Sequence, residues 1–370
     1  MKRLIVCCDG TWQKLTSEYP TNVVKMAQAI KTVDHNGISQ VVHYSEGIGT
    51  GDLVDRLGGG AFGWGIDNVI QNAYRFLCLN YVAGDEIYLF GFSRGAYIVR
   101  SLAGFIYNVG LLNRPYIRNT PGAYALYRNR SDETHPDSEE ARTFRQQYSQ
   151  EVKITFLGCW DTVGSLGIPD QIPYFPLDNL VNRKYQFHDT RINQSIQCAR
   201  HAVAVDEERK VFYVTPMHKS RSVAQQDLKQ IWFPGDHSCV GGGTKAHRQL
   251  SDGVLQWMMN EAEQQGLSFE RACIEGGIKI DPTIPFDNTP TGLFAGLGMK
   301  IRRLKDDPRS ENLEHSAEPE RLDQLGFVYA TFDDLHSSVQ DRWMRVPTYR
   351  PEGLEVFSDR LSGAPAPARI

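Results

Sequence analysis

Residues 85–107 read DEIYLFGFSRGAYIVRSLAGFIY, and this stretch decides the fold. Gly84-Asp85 is a turn signal and Ile87 to Phe90 are apolar and β-prone, so the first part is expected to be a buried parallel strand. From Arg94 the period changes. Ala96, Val99, Ala103 and Ile106 recur at three- and four-residue steps, the spacing of a helix that packs one face on a sheet. Between strand and helix lies Gly91-Phe92-Ser93-Arg94-Gly95, a G-x-S-x-G in the strand–turn–helix context of a nucleophile elbow. Such a turn lifts the serine Oγ above the sheet, and the residues two before and two after it must admit a close backbone approach. By chance the pattern turns up in roughly one chain in eight of this length, so the flanking strand and helix carry the reading.

The chain has 370 residues, 41% of them hydrophobic and 23% charged, with a formal net charge of -4. That describes a globular protein of one large or two small domains, without the basic excess that nucleic-acid binding requires. Cys7, Cys8, Cys78, Cys159, Cys198, Cys239 and Cys273 form an odd set with no C-x-x-C, so reduced core thiols are expected rather than disulfides or a structural zinc site. Met1-Lys2-Arg3 leads into Leu4 to Cys8, an apolar run too short for a signal peptide. No stretch approaches the ~20 apolar residues of a membrane span. A cytoplasmic protein without a transmembrane segment is expected, with signal-independent secretion and peripheral membrane contact left open and the oligomeric state unassigned.

Leu4 to Cys8 reads as a strand, and Asp9-Gly10-Thr11-Trp12 as the loop that leaves it. Thr21 is the expected N-cap of a helix running to Val33, with Val23, Met26, Ala27 and Ile30 on its apolar face. Val41 to Tyr44 is a short strand. The glycine-dense loop Gly47 to Gly65 lacks the G-K-[ST] of a phosphate-binding loop and reads as backbone at the rim of a site. Ile66 to Val82 is a helix leading into the elbow strand. Strand, loop, helix, strand, helix, strand, serine is the order of an α/β-hydrolase from its third strand to its fifth, and the loop after the third supplies an oxyanion-hole N–H. Gly10 and Thr11 fall at that position, with Arg94, next after the serine, as the second backbone donor. Cys-Cys-Asp-Gly-Thr also approaches the D-x-D-G-T of a phosphatase, but Cys7 stands where that chemistry needs a nucleophilic aspartate.

Residues 113–150 lose apolar periodicity and read as a polar insertion. Val152 to Trp160 is the next strand and ends in Asp161. A rim or lid rich in Pro and aromatics follows, with Tyr174, Phe175, Tyr185 and Phe187 as candidates to line an apolar acyl site. His201 to Val205 and Gln230 to Phe233 are further strands, the first ending in Asp206 and the second running into Pro-Gly-Asp-His-Ser at 234–238. Asp252 to Gln264 is a helix. A serine hydroxyl needs a histidine to take its proton and an acid to orient that histidine, in the chain order serine, acid, histidine. Ser93 is the nucleophile in this reading, and His237, beyond a late strand in a glycine-rich turn, is the base. Asp161 and Asp206 both satisfy the order for the acid.

The segments CDGTW, YSEGIGTG, GDEIYLFGFSRGAY, FLGCWDTVGS, HAVAVDEER, WFPGDHSCVGGG and LHSSVQDRW resemble an α/β-hydrolase domain family that contains type VI secretion phospholipase effectors. The likeness spans most of Leu4 to Tyr349. It implies a serine hydrolase with Ser93 as nucleophile, Asp161 as acid and His237 as base, acting on carboxylic esters, above all lipid or phospholipid acyl esters, without a cofactor. Where the family usually has Asp, this chain has Cys239. The confined end of Val152 to Trp160 also favours Asp161, because Asp206 opens the charged run Asp206-Glu207-Glu208-Arg209, which reads as a solvated turn.

The expected architecture is a mostly parallel sheet with helices on both faces: a catalytic domain at 1–265, a small extension at 266–362 packed on it, and a disordered tail at 363–370. Two other classes fit the residues. One is a metal-dependent hydrolase or phosphatase using Asp9, Asp161, Asp236 and His237. The other is a catalytically silent scaffold, for which Cys239 is the hint.

Overall fold

β1 (Arg3–Cys8) is buried along its whole length. Leu4, Val6 and Cys8 face one apolar cluster and Ile5 and Cys7 the other, so a continuous apolar run is divided between two layers by the period of two of a strand. The computed structural model describes residues 1–48, 59–129, 131, 134–164, 191–220, 223, 226–289, 298–306 and 327–363. Around β1 the main sheet runs β2 (Gln40–Ser45), β1, β3 (Glu86–Phe92), β4 (Ile154–Trp160), β5 (Ile196–Ala204), β6 (Asp227–Phe233). Every neighbouring pair is parallel. β2 lies on one side of β1 and β3 on the other, so the order reverses between β1 and β3, and an open sheet of this kind takes its ligand beyond the carboxyl ends at that reversal.

The helices that flank the sheet are α1 (Asn22–Ala29), α2 (Gly59–Asn80), α3 (Arg94–Val109), α4 (Thr120–Arg128), α5 (Glu139–Tyr148), α6 (His237–Gly241) and α7 (Arg248–Gln264). α2 and α3 cover the face of Leu4 and Val6 with Ile70, Tyr74, Leu77, Val99 and Leu102. α1 and α7 cover the opposite face with Val23, Met26, Val254, Leu255 and Met258. They are also joined by a buried ion pair, Lys25 Nζ to Asp252 Oδ1 at 2.6 Å. This is the α/β-hydrolase arrangement expected from the order of elements. All seven cysteines are free, and only Cys273 is exposed. No described helix is long and apolar enough to cross a membrane.

One helix end differs from the expectation, and two stretches carry elements that the sequence reading did not assign. Thr21 caps α1 as expected, its hydroxyl accepting from Val24 N–H, but the helix stops at Ala29 because Ile30 turns extended and bridges to Phe269. The polar stretch 113–150 contains α4 and α5, the latter capped by Ser138 with Glu139 and Glu140 in its first turn, where acidic groups meet the positive end of the helix dipole. Beyond α7, β7 (Arg303–Asp306) and β8 (Phe327–Ala330) pair in parallel, and α8 (Ser337–Arg345) follows. Among the described residues this C-terminal part shares its apolar packing with the main sheet. Leu304, Val339, Trp343, Leu354 and Phe357 share one cluster with Val203 and Trp232 of the main sheet. The central glycine-dense loop 49–58, the aromatic segment 165–190 with its four candidate acyl-site rings, and the tail 364–370 lie outside the described residues.

The elbow is the tightest point of the sheet. A Cβ on Gly95 would lie 2.1 Å from the Cys8 carbonyl oxygen and 2.6 Å from that of Asp9, far inside contact distance, and one on Gly91 would strike the Gly95 carbonyl. All these obstacles are backbone atoms in the core, which cannot move aside as a flexible side chain can. Gly95→Ala is therefore expected to lose about 1–3 kcal/mol of stability, the usual range for overpacking. A urea midpoint equal to that of the wild type would contradict this.

Candidate active site

Ser93 closes β3 with φ 58° and ψ −121°, a conformation that L-residues rarely hold. The strain persists because its surroundings over-determine it. Ser93 N–H donates to Trp160 O at 2.9 Å and its carbonyl accepts from Val163 N at 3.4 Å, which pins the turn to the end of β4. Immediately C-terminal, Arg94 opens α3, where a helix leaves its first N–H groups without intrahelical acceptors.

The loop after β1 reaches the same point. A Cβ on Gly10 would lie 3.2 Å from Ser93 Cβ, so the loop passes close beside the serine. Asp9 organises this loop from below. Its carboxylate accepts from Gly10 N at 2.7 Å, Thr21 Oγ1 at 2.7 Å and Tyr44 Oη at 2.8 Å. Burial pushes the Asp9 carboxyl up to about 6, against the pull of those three donors. Gly10 N–H is turned onto Asp9, Trp12 N–H onto Ile48 O and Gln13 N–H onto Gly10 O, which leaves the Thr11 N–H as the donor of this loop without an acceptor among the described residues. The Thr11 hydroxyl is likewise buried without a partner among the described residues.

His237 opens α6, and its Nδ1 lies 2.6 Å from Asp161 Oδ2. The imidazole is sandwiched, with the Phe92 ring 4.5 Å away on one side and the Phe212 ring stacked at 4.7 Å. Its backbone N–H donates to Glu207 Oε2 at 3.1 Å, and Arg209 holds the same glutamate. Asp161 follows β4 with φ 38° and no exposure. Its Oδ1 accepts from Ala204 N at 3.0 Å and from an arginine no local pattern pointed to, Arg302, at 2.6 Å; the other Arg302 nitrogen reaches Oδ2 at 3.0 Å. Burial would raise this carboxyl, but the Arg302 guanidinium and His237 outweigh it and hold Asp161 well below the usual carboxylate range. An ionised carboxylate on Nδ1 fixes the tautomer that leaves Nε2 free to accept a proton.

A model of the family described as "T6SS, Phospholipase effector Tle1-like, catalytic domain" matches residues 2–261, most of the chain. The chain belongs to this family. An uncharacterised protein of Saccharomyces cerevisiae is 32% identical over 240 residues, covering 58% of this chain and 33% of that protein. The chain thus spans about a third of the length of the curated relative it matches. Among solved structures, a Tle1 effector bound to the VgrG spike of the type VI secretion system is similar with a TM-score of 0.46 and 14% identity, over 73% of this chain and 74% of that one. An uncharacterised protein from Pseudomonas aeruginosa gives 0.44 and 15%, over 76% and 49%.

Not every candidate of this Tle1-like domain gathers at the elbow. Asp206 reads as a solvated turn in the sequence but is buried. It accepts from Tyr349 Oη at 2.9 Å and Gly235 N at 2.6 Å, and so braces the turn that carries His237. Asp236 caps α6 through the N–H groups of Ser238 and Cys239, with Arg209 3.4 Å from its other oxygen. Cys239 is fully buried against Asp236 and Gly235, its thiol raised by burial. Of the four groups of the metal-dependent alternative only Asp161 and His237 meet. Asp9 holds the loop after β1 and Asp236 caps α6, and the candidate metal cluster among the described residues is a different one, Asp236, Cys239 and His247. Cys7, at the phosphatase nucleophile position, points into the core with its thiol raised by burial.

Asp206 makes a pH-dependent contribution. Burial pushes it up to about 7, with Gly235 and Tyr349 pulling the other way. The native state keeps this proton to higher pH than the unfolded chain does, so the stabilisation is present below about pH 4 and lost as pH rises toward about 7. Asp206→Asn should flatten the dependence of the urea midpoint on pH across that window. An unchanged slope would show that another group titrates there.

Proposed function

We propose that the chain hydrolyses carboxylic esters, with lipid or phospholipid acyl esters as the substrate class, through an acyl-enzyme on Ser93. The observation that carries this reading is the buried His237–Asp161 hydrogen bond of 2.6 Å beside a serine in the strained elbow conformation, at the reversal of the sheet. In this mechanism Ser93 Oγ attacks the ester carbonyl carbon while His237 Nε2 takes the hydroxyl proton. The resulting oxyanion is met by the N–H groups of Arg94 and Thr11, fixed before the reaction begins. Collapse breaks the ester C–O bond, and His237 passes the proton to the departing alcohol. Water, deprotonated by the same imidazole, then attacks the acyl-enzyme and releases the carboxylic acid and free Ser93. Asp161 stays ionised throughout, stabilising the imidazolium. No step calls for a metal or organic cofactor. The description of the family supports the phospholipid end of the substrate range.

Ser93→Ala should remove fluorophosphonate labelling and essentially all ester hydrolysis. Asp161→Asn, which presents the wrong group to Nδ1, should lower kcat by about 10⁴ while Asp206→Asn stays within about tenfold of wild type. Turnover should survive a chelator and rise from acetyl toward longer acyl esters. Residual activity of Ser93→Ala within about tenfold of wild type excludes the covalent mechanism, and the reverse order of the two aspartate variants excludes Asp161 as the acid.

A further inference from the structure

Arg302 lies beyond the segment that the family model covers, yet it is fully buried at the candidate triad. We propose that it is a positioning residue of the catalytic centre, whose guanidinium fixes the Asp161 carboxylate and the Phe212 backbone together and thereby sets both the hydrogen bond and the ring plane of His237. The proposal rests on the Ser93–His237–Asp161 reading.

The geometry is that of a two-sided clamp. One terminal nitrogen of Arg302 donates to Asp161 Oδ1 at 2.6 Å and to Ala204 O at 2.8 Å. The other donates to Asp161 Oδ2 at 3.0 Å and to the carbonyl of Phe212, the residue whose ring stacks on His237 with planes 14° apart. A single planar group therefore ties the acid on one edge of the imidazole to the aromatic wall on its face, a task for a rigid fork that an ammonium cannot reproduce. The backbone of this segment is itself laced to the loop that carries Phe212. Lys300 N donates to Glu208 O at 2.6 Å, Lys210 N donates to Gly298 O at 3.1 Å, and Met299 bridges Arg209.

The clamp also decides the protonation of the acid. Asp161 sits at a positive φ and has no exposure, so without a cation its carboxylate would take up a proton to escape the desolvation penalty. The charged and titratable groups around it are Arg302, His237, Arg209 and His201. His201 is buried and neutral, lowered to about 3, with Thr162 N–H donating to its Nε2 at 3.1 Å and its Nδ1 2.8 Å from Gln230 Oε1. Arg209 is engaged with Glu207 and Asp236. Arg302 is the cation placed to keep Asp161 ionised.

Arg302→Met and Arg302→Lys are compared with wild type in kcat and KM for an activated ester over a pH series, and in the low-field proton resonance of His237 Nδ1–H. For Arg302→Met, kcat is expected to fall by about 10–10²-fold with KM within about threefold, and the acid limb of kcat to move up by about one pH unit or more. Arg302→Lys keeps the charge but not the fork, so its kcat falls about tenfold while the acid limb stays in place. The low-field resonance is expected to broaden or vanish in Arg302→Met. A folded Arg302→Met with kcat and acid limb both within about twofold of wild type overturns the proposal. Should Arg302→Met not fold, Arg302→Lys decides: wild-type kcat overturns the clamp, and a selective loss of kcat supports it. If wild-type protein neither labels nor turns over, the serine-hydrolase reading is what fails, and the clamp is then judged by the resonance alone, its retention in Arg302→Met ruling the clamp out.

Discussion

The carboxylate of Asp161 is the constraint around which this architecture closes. It has no exposure and accepts four hydrogen bonds from three different parts of the chain: Ala204 at the end of β5, His237 at the start of α6, and both terminal nitrogens of Arg302. An isolated carboxylate could not be buried at such depth without protonation, and a bidentate guanidinium is the group that makes an ionised one tolerable. Replacing such a pair by apolar groups can be neutral for stability, so stability does not explain its presence. Its value here lies in position. An acid with all its lone pairs engaged has one orientation, and so has the imidazole on it.

The same principle of crowding by backbone governs the other half of the site. β1 and β3 are hydrogen-bonded neighbours, and the loops that leave them meet at Gly10 and Ser93 with their Cβ positions almost touching. Parallel strands deliver both loops to the same edge of the sheet, which is why residues 83 apart in the chain form one surface. Asp9 does for the loop after β1 what Arg302 does for the acid. It gathers Gly10, Thr21 and Tyr44 around one buried carboxylate.

How much of this could be read from the sequence follows from the range of each signal. The elbow was legible because Gly91, Ser93 and Gly95 sit within five residues, flanked by a change of period from two to 3.6 that shows within one turn of helix. Thr21 was legible as a cap because its acceptor role is satisfied three residues on. Signals that depend on distant partners were not. The end of α1 is set by Phe269 rather than by any residue near Ile30. Asp206 looks solvated among its charged neighbours, and only Gly235 and Tyr349, the latter 143 positions away, make it a buried brace. Arg302 stands in a polar, aperiodic stretch where one arginine looks like any other, and nothing within ten residues of it hints at Asp161. Gly10 and Thr11 were legible as the loop that leaves β1, but that the Gly10 N–H is turned onto Asp9 is a matter of one peptide plane.

The third apolar cluster, in which Leu304, Trp343 and Phe357 share their packing with Val203 and Trp232, carries a consequence for where the functional unit ends. A boundary drawn where the family model ends, at residue 261, would retain Ser93, Asp161 and His237 and discard the counter-ion of Asp161 together with Tyr349, which secures the turn that carries His237. A fragment cut there would expose one face of β5 and β6 to water and leave a bare carboxylate beneath the imidazole. Electrostatics and packing thus tie the residues out to Phe357 to the sheet that the family model covers, well past where that model ends.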